Sequence, residues 1–129
     1  MNAEIYQQHI LDHYSNPRNR REIENADLQY RDSNPLCGDE VAMYAKLKDG
    51  LMEDLSFIGR GCAISQASAS MITEALKGAS LSQAAEMGKE DVTRMLMIQI
   101  SPTRLKCALL PLKTLQAGIR VYQNGAARN

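Results

Sequence analysis

The sequence predicts an α+β fold in which a small three-stranded antiparallel sheet carries helices packed on one face. Apolar residues recur with a period of two between about 26 and 58, and with a helical period before and after that stretch. The pair Asp49-Gly50 stands between two of the alternating runs and is typical of a tight β-hairpin. With 129 residues, the chain has the size of one domain, so we expect a single domain over 1–129 with a disordered tail near 124–129.

Each element of the first half has its own signal. Apolar residues at spacings of three and four predict a helix over 4–15, and Pro17 ends it because the residue before proline avoids helical angles. Strict alternation predicts strands over 41–48 and 51–58, on either side of the hairpin turn. A weaker pattern predicts a third strand over 26–32.

The second half is predicted to be helical throughout. A helix over 63–77 ends at a glycine, and two short helices follow, ending near Met87 and Ile98. Ser101-Pro102 has the form of a helix start, with a capping hydroxyl and proline at the first helical position. The last helix should reach about Tyr122, with a kink or break at Pro111.

Composition excludes several classes of function. Lys plus Arg and Asp plus Glu both number 15, so the chain lacks the basic excess typical of a nucleic-acid-binding protein. No apolar stretch approaches the ~20 residues of a membrane span, and the N-terminal sequence has no signal-peptide pattern. We therefore expect a cytoplasmic protein without a nucleic-acid or membrane partner.

Three cysteines are the most informative chemical groups in the chain. An odd number leaves one thiol unpaired in any intramolecular disulfide scheme, and a domain of this length does not need disulfides to be stable. Metal-binding or reactive thiols in a reducing compartment are the favoured interpretation. The alternative is that each cysteine is simply a small buried apolar residue.

The local sequence around each cysteine suits a metal ligand. Cys37 lies in a predicted turn and is followed two residues later by Asp39, whose carboxylate could bind the same ion or only close the turn. Cys62 follows Gly-Arg-Gly and directly precedes a predicted helix, whose N-terminal N–H groups favour a thiolate. Cys107 lies early in the last helix, near Arg104 and Lys106, which also favour a thiolate.

The spacing of these residues separates them from zinc fingers. Zinc-finger ligands come in closely spaced pairs, whereas here 25 residues separate Cys37 from Cys62 and 45 separate Cys62 from Cys107. Three thiolates and Asp39 make four donors, the number that a tetrahedral zinc site or one iron of a small cluster needs. A site built from three separate elements is assembled by the fold, which suits a cargo that is loaded and released.

Four motifs occur in one order along the chain: Asn16-Pro17-Arg18-Asn19, Pro35-Leu36-Cys37-Gly38-Asp39, Gly59-Arg60-Gly61-Cys62-Ala63-Ile64-Ser65 and Arg104-Leu105-Lys106-Cys107. Together they resemble the IscU/SufU family, the scaffold and sulfur-acceptor proteins of iron–sulfur cluster assembly, also called NifU N-terminal-like. The resemblance extends over nearly the whole chain.

The resemblance implies a function and a set of ligands. Cys37, Asp39, Cys62 and Cys107 would bind a labile [2Fe–2S] cluster or Zn(II), and Cys107 or Cys37 would accept persulfide sulfur. The implied partners are a cysteine desulfurase of the IscS or SufS type, an iron donor and apo-proteins that receive the cluster. Such a protein is a scaffold rather than an enzyme, and at most a sulfur transferase that acts with the desulfurase.

Two alternatives to the cluster scaffold stay open at this point. One is a zinc-dependent sulfurtransferase that activates a desulfurase and builds no cluster, as SufU-type proteins do. The other is a structural zinc module that makes protein contacts without sulfur chemistry.

The chain departs from both branches of the family. Lys106 stands where IscU proteins have histidine, and Ser101-Pro102-Thr103-Arg104-Leu105 replaces the segment that a dedicated Hsp70 chaperone reads, so we do not expect that chaperone as a partner. The motifs are more SufU-like, yet the 45-residue gap is too short for the SufU insertion.

Overall fold

The part of the chain that the structure describes folds into a three-stranded sheet and five helices. The computed structural model describes residues 3–36 and 38–128, and the side chains of 8–36 and 38–125. In chain order the elements are α1 (Ala3–Ser15), β1 (Leu28–Asn34), β2 (Asp39–Lys48), β3 (Leu51–Arg60), α2 (Ala63–Leu76), α3 (Leu81–Glu86), α4 (Lys89–Leu96) and α5 (Pro102–Arg128).

The sheet has the order β1-β2-β3 and both pairs of strands are antiparallel, as predicted. At the hairpin turn Asp49 and Gly50 both have positive φ, of 55° and 78°, which is the geometry expected for this dipeptide. The strand predicted over 26–32 begins and ends two residues later, at Leu28 and Asn34. Polar residues at its end carry no strand pattern of their own, and pairing with β2 supplies their backbone partners.

Helices cover one face of the sheet, which confirms the predicted architecture. Met43, Leu55 and Phe57 point to that face and are completely buried beneath α2 and α5. The other face is partly covered by the connector between α1 and β1. An ion pair of 2.6 Å between Arg21 of the connector and Asp54 of β3 holds the connector against the sheet. The sheet is therefore buried on both sides along part of its length.

The helix boundaries follow the capping signals in the sequence. Gly78, with φ of 86°, follows the end of α2. Ser80 caps α3, where its hydroxyl accepts from the backbone N–H of Gln83 and the Gln83 side chain accepts from the Ser80 N–H. Met97, directly after the last residue of α4, adopts a left-handed conformation with φ of 62° and ends that helix.

The last helix is continuous and longer than predicted. α5 runs from Pro102 to Arg128 without a break at Pro111, because packing of buried residues such as Leu112 and Leu115 holds the helix together despite one lost hydrogen bond. It also continues past Tyr122, to Arg128. A formed helix adds further residues at little cost, and Ala and Arg near its end are good helix formers.

No helix among the described residues is both long and apolar enough to cross a bilayer.

Candidate metal centre

Three of the four predicted donors meet at one end of the sheet. Asp39 begins β2, Cys62 is the residue before α2, and Cys107 lies in the second turn of α5. One ligand atom from each lies within 4.8 Å of the others. Sulfur atoms bound to one tetrahedral zinc lie about 3.8 Å apart, given Zn–S distances of about 2.3 Å. A contraction of about 1 Å would therefore bring these donors to ligating distance, and the donor set fits zinc or a small iron–sulfur cluster.

The fourth predicted donor, Cys37, lies outside the described residues. The turn on either side of it is described: the backbone N–H of Gly38 donates to Asn34 O at 2.9 Å, and that of Leu36 donates to Asn34 Oδ1 at 3.2 Å. Leu36 is 86% exposed and Gly38 is also exposed. The described residues on both sides of position 37 thus border solvent.

Asp39 has a structural role as well as a donor role. Its side chain is fully buried, and Oδ1 accepts a hydrogen bond from the backbone N–H of Cys62 at 2.7 Å. The carboxylate therefore satisfies one of the free N–H groups at the start of α2 and interacts favourably with the positive end of that helix. Its second oxygen, Oδ2, lies 3.6 Å from Cys62 Sγ and is the oxygen available to a metal.

Gly61 belongs to the Gly-Arg-Gly pattern of the sequence, but its close approach to Asp39 was not predicted. Its φ is +143°, a conformation that side chains disfavour, and a Cβ built there would overlap Asp39 Oδ1 and lie 2.8 Å from Asp39 Cα. Only glycine lets the end of β3 pass this close to the buried carboxylate. The Gly-Arg-Gly pattern before Cys62 was the sequence signal, but its partner Asp39 is 22 residues away.

Cys107 is held in place through the contact between α2 and α5. Its side chain is 2% exposed, and the Ser68 hydroxyl of α2 donates to the carbonyl of the next residue, Ala108, at 2.6 Å. This hydrogen bond fixes the helix that carries Cys107 against the helix that Cys62 precedes. The neighbouring Arg104 and Lys106 are exposed, so their charges lie at the rim of the centre.

The motif at 16–19 is a packing motif in this structure. The backbone N–H of Arg18 donates to Ser70 Oγ at 2.9 Å, and His13 Nδ1 lies 2.8 Å from the same oxygen. The side chain of Asn19 also reaches Thr73 of α2. These contacts dock α1 and the connector on α2. Burial lowers the pKa of His13, and Arg18 nearby lowers it further.

Comparison with known proteins identifies the family of the chain. Residues 5–129 match the model of the NifU-like N-terminal domain. The chain is 37% identical to the zinc-dependent sulfurtransferase SufU of Bacillus subtilis, over 94% of this chain and 93% of the relative. It is 32% identical to the iron–sulfur cluster assembly scaffold protein IscU of Escherichia coli K12, over 92% of this chain and 94% of that protein.

A solved structure extends the likeness to three dimensions. The crystal structure of an iron–sulfur cluster assembly scaffold protein for the SUF system from Fervidobacterium islandicum superposes with a TM-score of 0.74 at 30% identity, covering 92% of this chain and 99% of that one. Sequence and fold therefore agree, and the chain belongs to the NifU-like N-terminal domain family.

Proposed function

We propose that this protein is an iron–sulfur cluster assembly scaffold that accepts sulfur from a cysteine desulfurase. The observation that carries the proposal is the meeting of Asp39, Cys62 and Cys107, from three separate elements, within 4.8 Å. Cys37, two residues before Asp39 in the sequence, is the proposed fourth ligand of a labile [2Fe–2S] cargo or of Zn(II). Such a bound metal would keep the cysteines deprotonated and hold them together.

The sulfur transfer step needs an accessible thiolate. A thiolate of this protein attacks the outer sulfur of the partner's cysteine persulfide. A new S–S bond forms here while the partner's S–S bond breaks, and the partner's cysteine leaves as a thiolate. No net oxidation occurs, because the sulfane sulfur only changes its carrier.

The burial of Cys107 argues against it as the first acceptor. Cys107 is 2% exposed, so a partner's persulfide reaches it only after the residues that cover it move. The neighbours of Cys37, Leu36 and Gly38, are both exposed. We therefore propose that sulfur arrives at Cys37 and that Cys107 serves as ligand or as second acceptor.

Asp39 is proposed to make the site labile. A carboxylate oxygen is a harder donor than a thiolate and binds soft metals less firmly. Replacing Asp39 by alanine should make a bound cluster last longer in air, as followed by visible absorption. Because Asp39 Oδ1 also accepts from the Cys62 N–H, Asp39→Asn is the companion variant that keeps an oxygen at that hydrogen bond. Faster loss of the cluster in Asp39→Ala than in the parent would contradict this role.

A second function is favoured by a specific observation. The curated relative with 37% identity is a zinc-dependent sulfurtransferase, and Lys106 stands where IscU proteins have histidine. In this alternative the protein holds zinc, takes sulfur from the desulfurase and passes it on without building a cluster. In both cases the chemistry needs reduced thiols, which supports the proposed cytoplasmic location.

One experiment separates the two functions. Metal-free and zinc-loaded protein are incubated with a cysteine desulfurase and cysteine, with and without Fe(II). Persulfides are located by mass spectrometry and the cluster is followed by visible absorption. A cluster that forms with Fe(II) supports the scaffold, whereas persulfide formation with stable zinc and no iron uptake supports the sulfurtransferase. No persulfide on any cysteine would contradict both, and would leave a structural zinc module.

A further inference from the structure

A cationic groove lies beside the metal centre, on the sheet face opposite the helices. It has a volume of about 520 Å³, and three arginines, Arg20, Arg31 and Arg60, form much of its lining. Ala42 and Ile58, which face each other across β2 and β3, contribute its apolar floor. We call this surface the arginine groove.

The positive charge of the groove is local and largely uncompensated. Its one acidic lining residue, Glu40, is ion-paired with Arg60, and Arg20 donates to the carbonyl of Gly59 at 3.1 Å. Arg31 pairs with Ala42 through the sheet, but its side chain makes no hydrogen bond or ion pair with the residues that the structure describes. The whole chain has a formal net charge of zero, so this excess of two positive charges is a feature of one surface.

The groove is continuous with the approach to the metal centre. A second depression of about 530 Å³ shares Arg20, Gly59 and Arg60 with it, and extends to Gly61, directly before Cys62. Arg60 is 79% exposed at the shared rim. A protein–protein contact buries roughly 800 Å² on each partner, which exceeds the donor site itself. A partner that approaches Cys62 from the side of Gly61 would therefore also contact this rim.

We propose that the arginine groove is the docking surface for acidic side chains of the protein that delivers sulfur to this site. The inference rests on the proposed function, because it takes the cysteine desulfurase to be that protein. An apolar floor edged by arginines is typical of a protein interface, where arginine is enriched. Small ligands, in contrast, are usually bound in enclosed cavities rather than in a shallow groove along a sheet.

The charges of the groove would act mainly on the rate of association. Opposite charges on two partners steer their encounter and can raise association rates about 10- to 1000-fold at low salt. Arg31 is the best residue for a test, because it is exposed and lies on β1, which supplies none of the metal donors. Among the described residues its side chain has no partner that a substitution would leave unpaired.

The test measures association of the full-length, zinc-loaded protein with cysteine desulfurases of the SufS and IscS types. The variants are Arg31→Glu and Arg31→Gln, and the matched control is Arg120→Glu. Arg120 is an exposed arginine on α5, which packs against the other face of the sheet. Zinc affinity and circular dichroism establish that each variant is folded with its metal centre intact.

Arg31→Glu should lower the association rate at least about tenfold at low salt, Arg31→Gln by less, and Arg120→Glu by less than twofold. The differences should disappear near ~1 M salt, where the Debye length falls to about 3 Å. Equal association rates for all proteins, with sulfur transfer intact, would contradict the docking role of the arginine groove but not the proposed function. Absence of sulfur transfer to the parent protein would instead overturn the proposed function and the inference with it.

Inorganic phosphate serves as the small-anion probe, titrated at constant ionic strength. Phosphate binding that depends on Arg31, combined with desulfurase association that does not, would assign the groove to a small anion and overturn the proposal.

Discussion

The two ends of strand β3 are both marked by glycine, and the two glycines are needed for different reasons. Gly50, before Leu51, has φ of 78°, and a Cβ added there would meet nothing within 4 Å. Gly61, after Arg60, has φ of 143°, and a Cβ there would overlap the buried carboxylate of Asp39. The first end of the strand is set by local backbone preference, and the second by a contact between distant parts of the chain.

This difference separates the structural end of the sheet from the chemical end. The hairpin Asp49-Gly50 makes its turn with residues that are neighbours in sequence. The metal centre depends on Asp39, Cys62 and Cys107, which only the folded chain brings together. Changes at the hairpin should therefore affect stability alone, whereas changes at the other end should affect metal affinity as well.

The largest effect should come from removing a donor. Cys107→Ser keeps nearly the same volume but replaces a thiolate by a hydroxyl, which binds soft metals poorly. Zinc affinity, measured by competition with a chromophoric chelator, should fall by more than about 100-fold. Substitution of a residue that only hydrogen-bonds to a metal ligand already lowers metal affinity about 10- to 100-fold. An affinity within threefold of the parent would show that Cys107 is a buried apolar residue and not a ligand.

The next largest effect should come from Gly61→Ala, with Gly50→Ala as its matched control. The new methyl group at 61 collides with Asp39, which accepts from the Cys62 N–H, so it moves Cys62 away from Cys107 and zinc affinity should fall about 10- to 100-fold. At 50 the cost should be about 1–2 kcal/mol of unfolding free energy from the left-handed backbone, with zinc affinity unchanged. Urea denaturation of the metal-free proteins and zinc competition measure the two quantities. Equal zinc affinities in the two variants would break the distinction between the two ends.

A smaller effect should follow from Ser68→Ala. The Ser68 hydroxyl donates to Ala108 O at 2.6 Å, and its loss leaves a buried carbonyl with one hydrogen bond fewer. We expect a loss of about 1–3 kcal/mol in unfolding free energy and a modest fall in zinc affinity. Ser65→Ala, which removes a hydroxyl that donates to Cys62 O within the same helix start, is the comparison variant. A larger loss of unfolding free energy in Ser65→Ala would mean that the contact between α2 and α5 matters less than the start of α2.

The smallest effect should be a pH dependence that arises away from both ends of β3. The pKa of buried His13 is lowered from 6.5, so as pH falls below about 6.5 the unfolded chain binds a proton more readily than the folded protein. Unfolding free energy should therefore decrease on acidification, with a slope of at most about 1.4 kcal/mol per pH unit from this residue. His13→Gln should flatten that slope in urea denaturation series between pH 7.5 and pH 5.5. An unchanged slope in the variant would assign the pH dependence to other groups.

Much of the fold could be predicted from the sequence. Alternating apolar residues predicted β2 and β3, and capping residues such as Ser80 and Gly78 predicted where helices begin and end. The errors lie where tertiary contacts outweigh local pattern. β1 is shifted by two residues because β2 sets its pairing, and α5 passes through Pro111 because its buried face is held by the core.

The sequence by itself determined the chemistry of the donor site, because residue type decides what a side chain can bind. Asp39, Cys62 and Cys107 were all identified from their local sequence, together with Cys37. Only the tertiary structure decided how these groups are arranged. The Cys62 N–H donates to Asp39 Oδ1, and the absence of a side chain at Gly61 leaves space for that carboxylate. Arginines from three segments line one groove. Such relations depend on distances between residues far apart in the chain, and local sequence pattern carries no information about those distances.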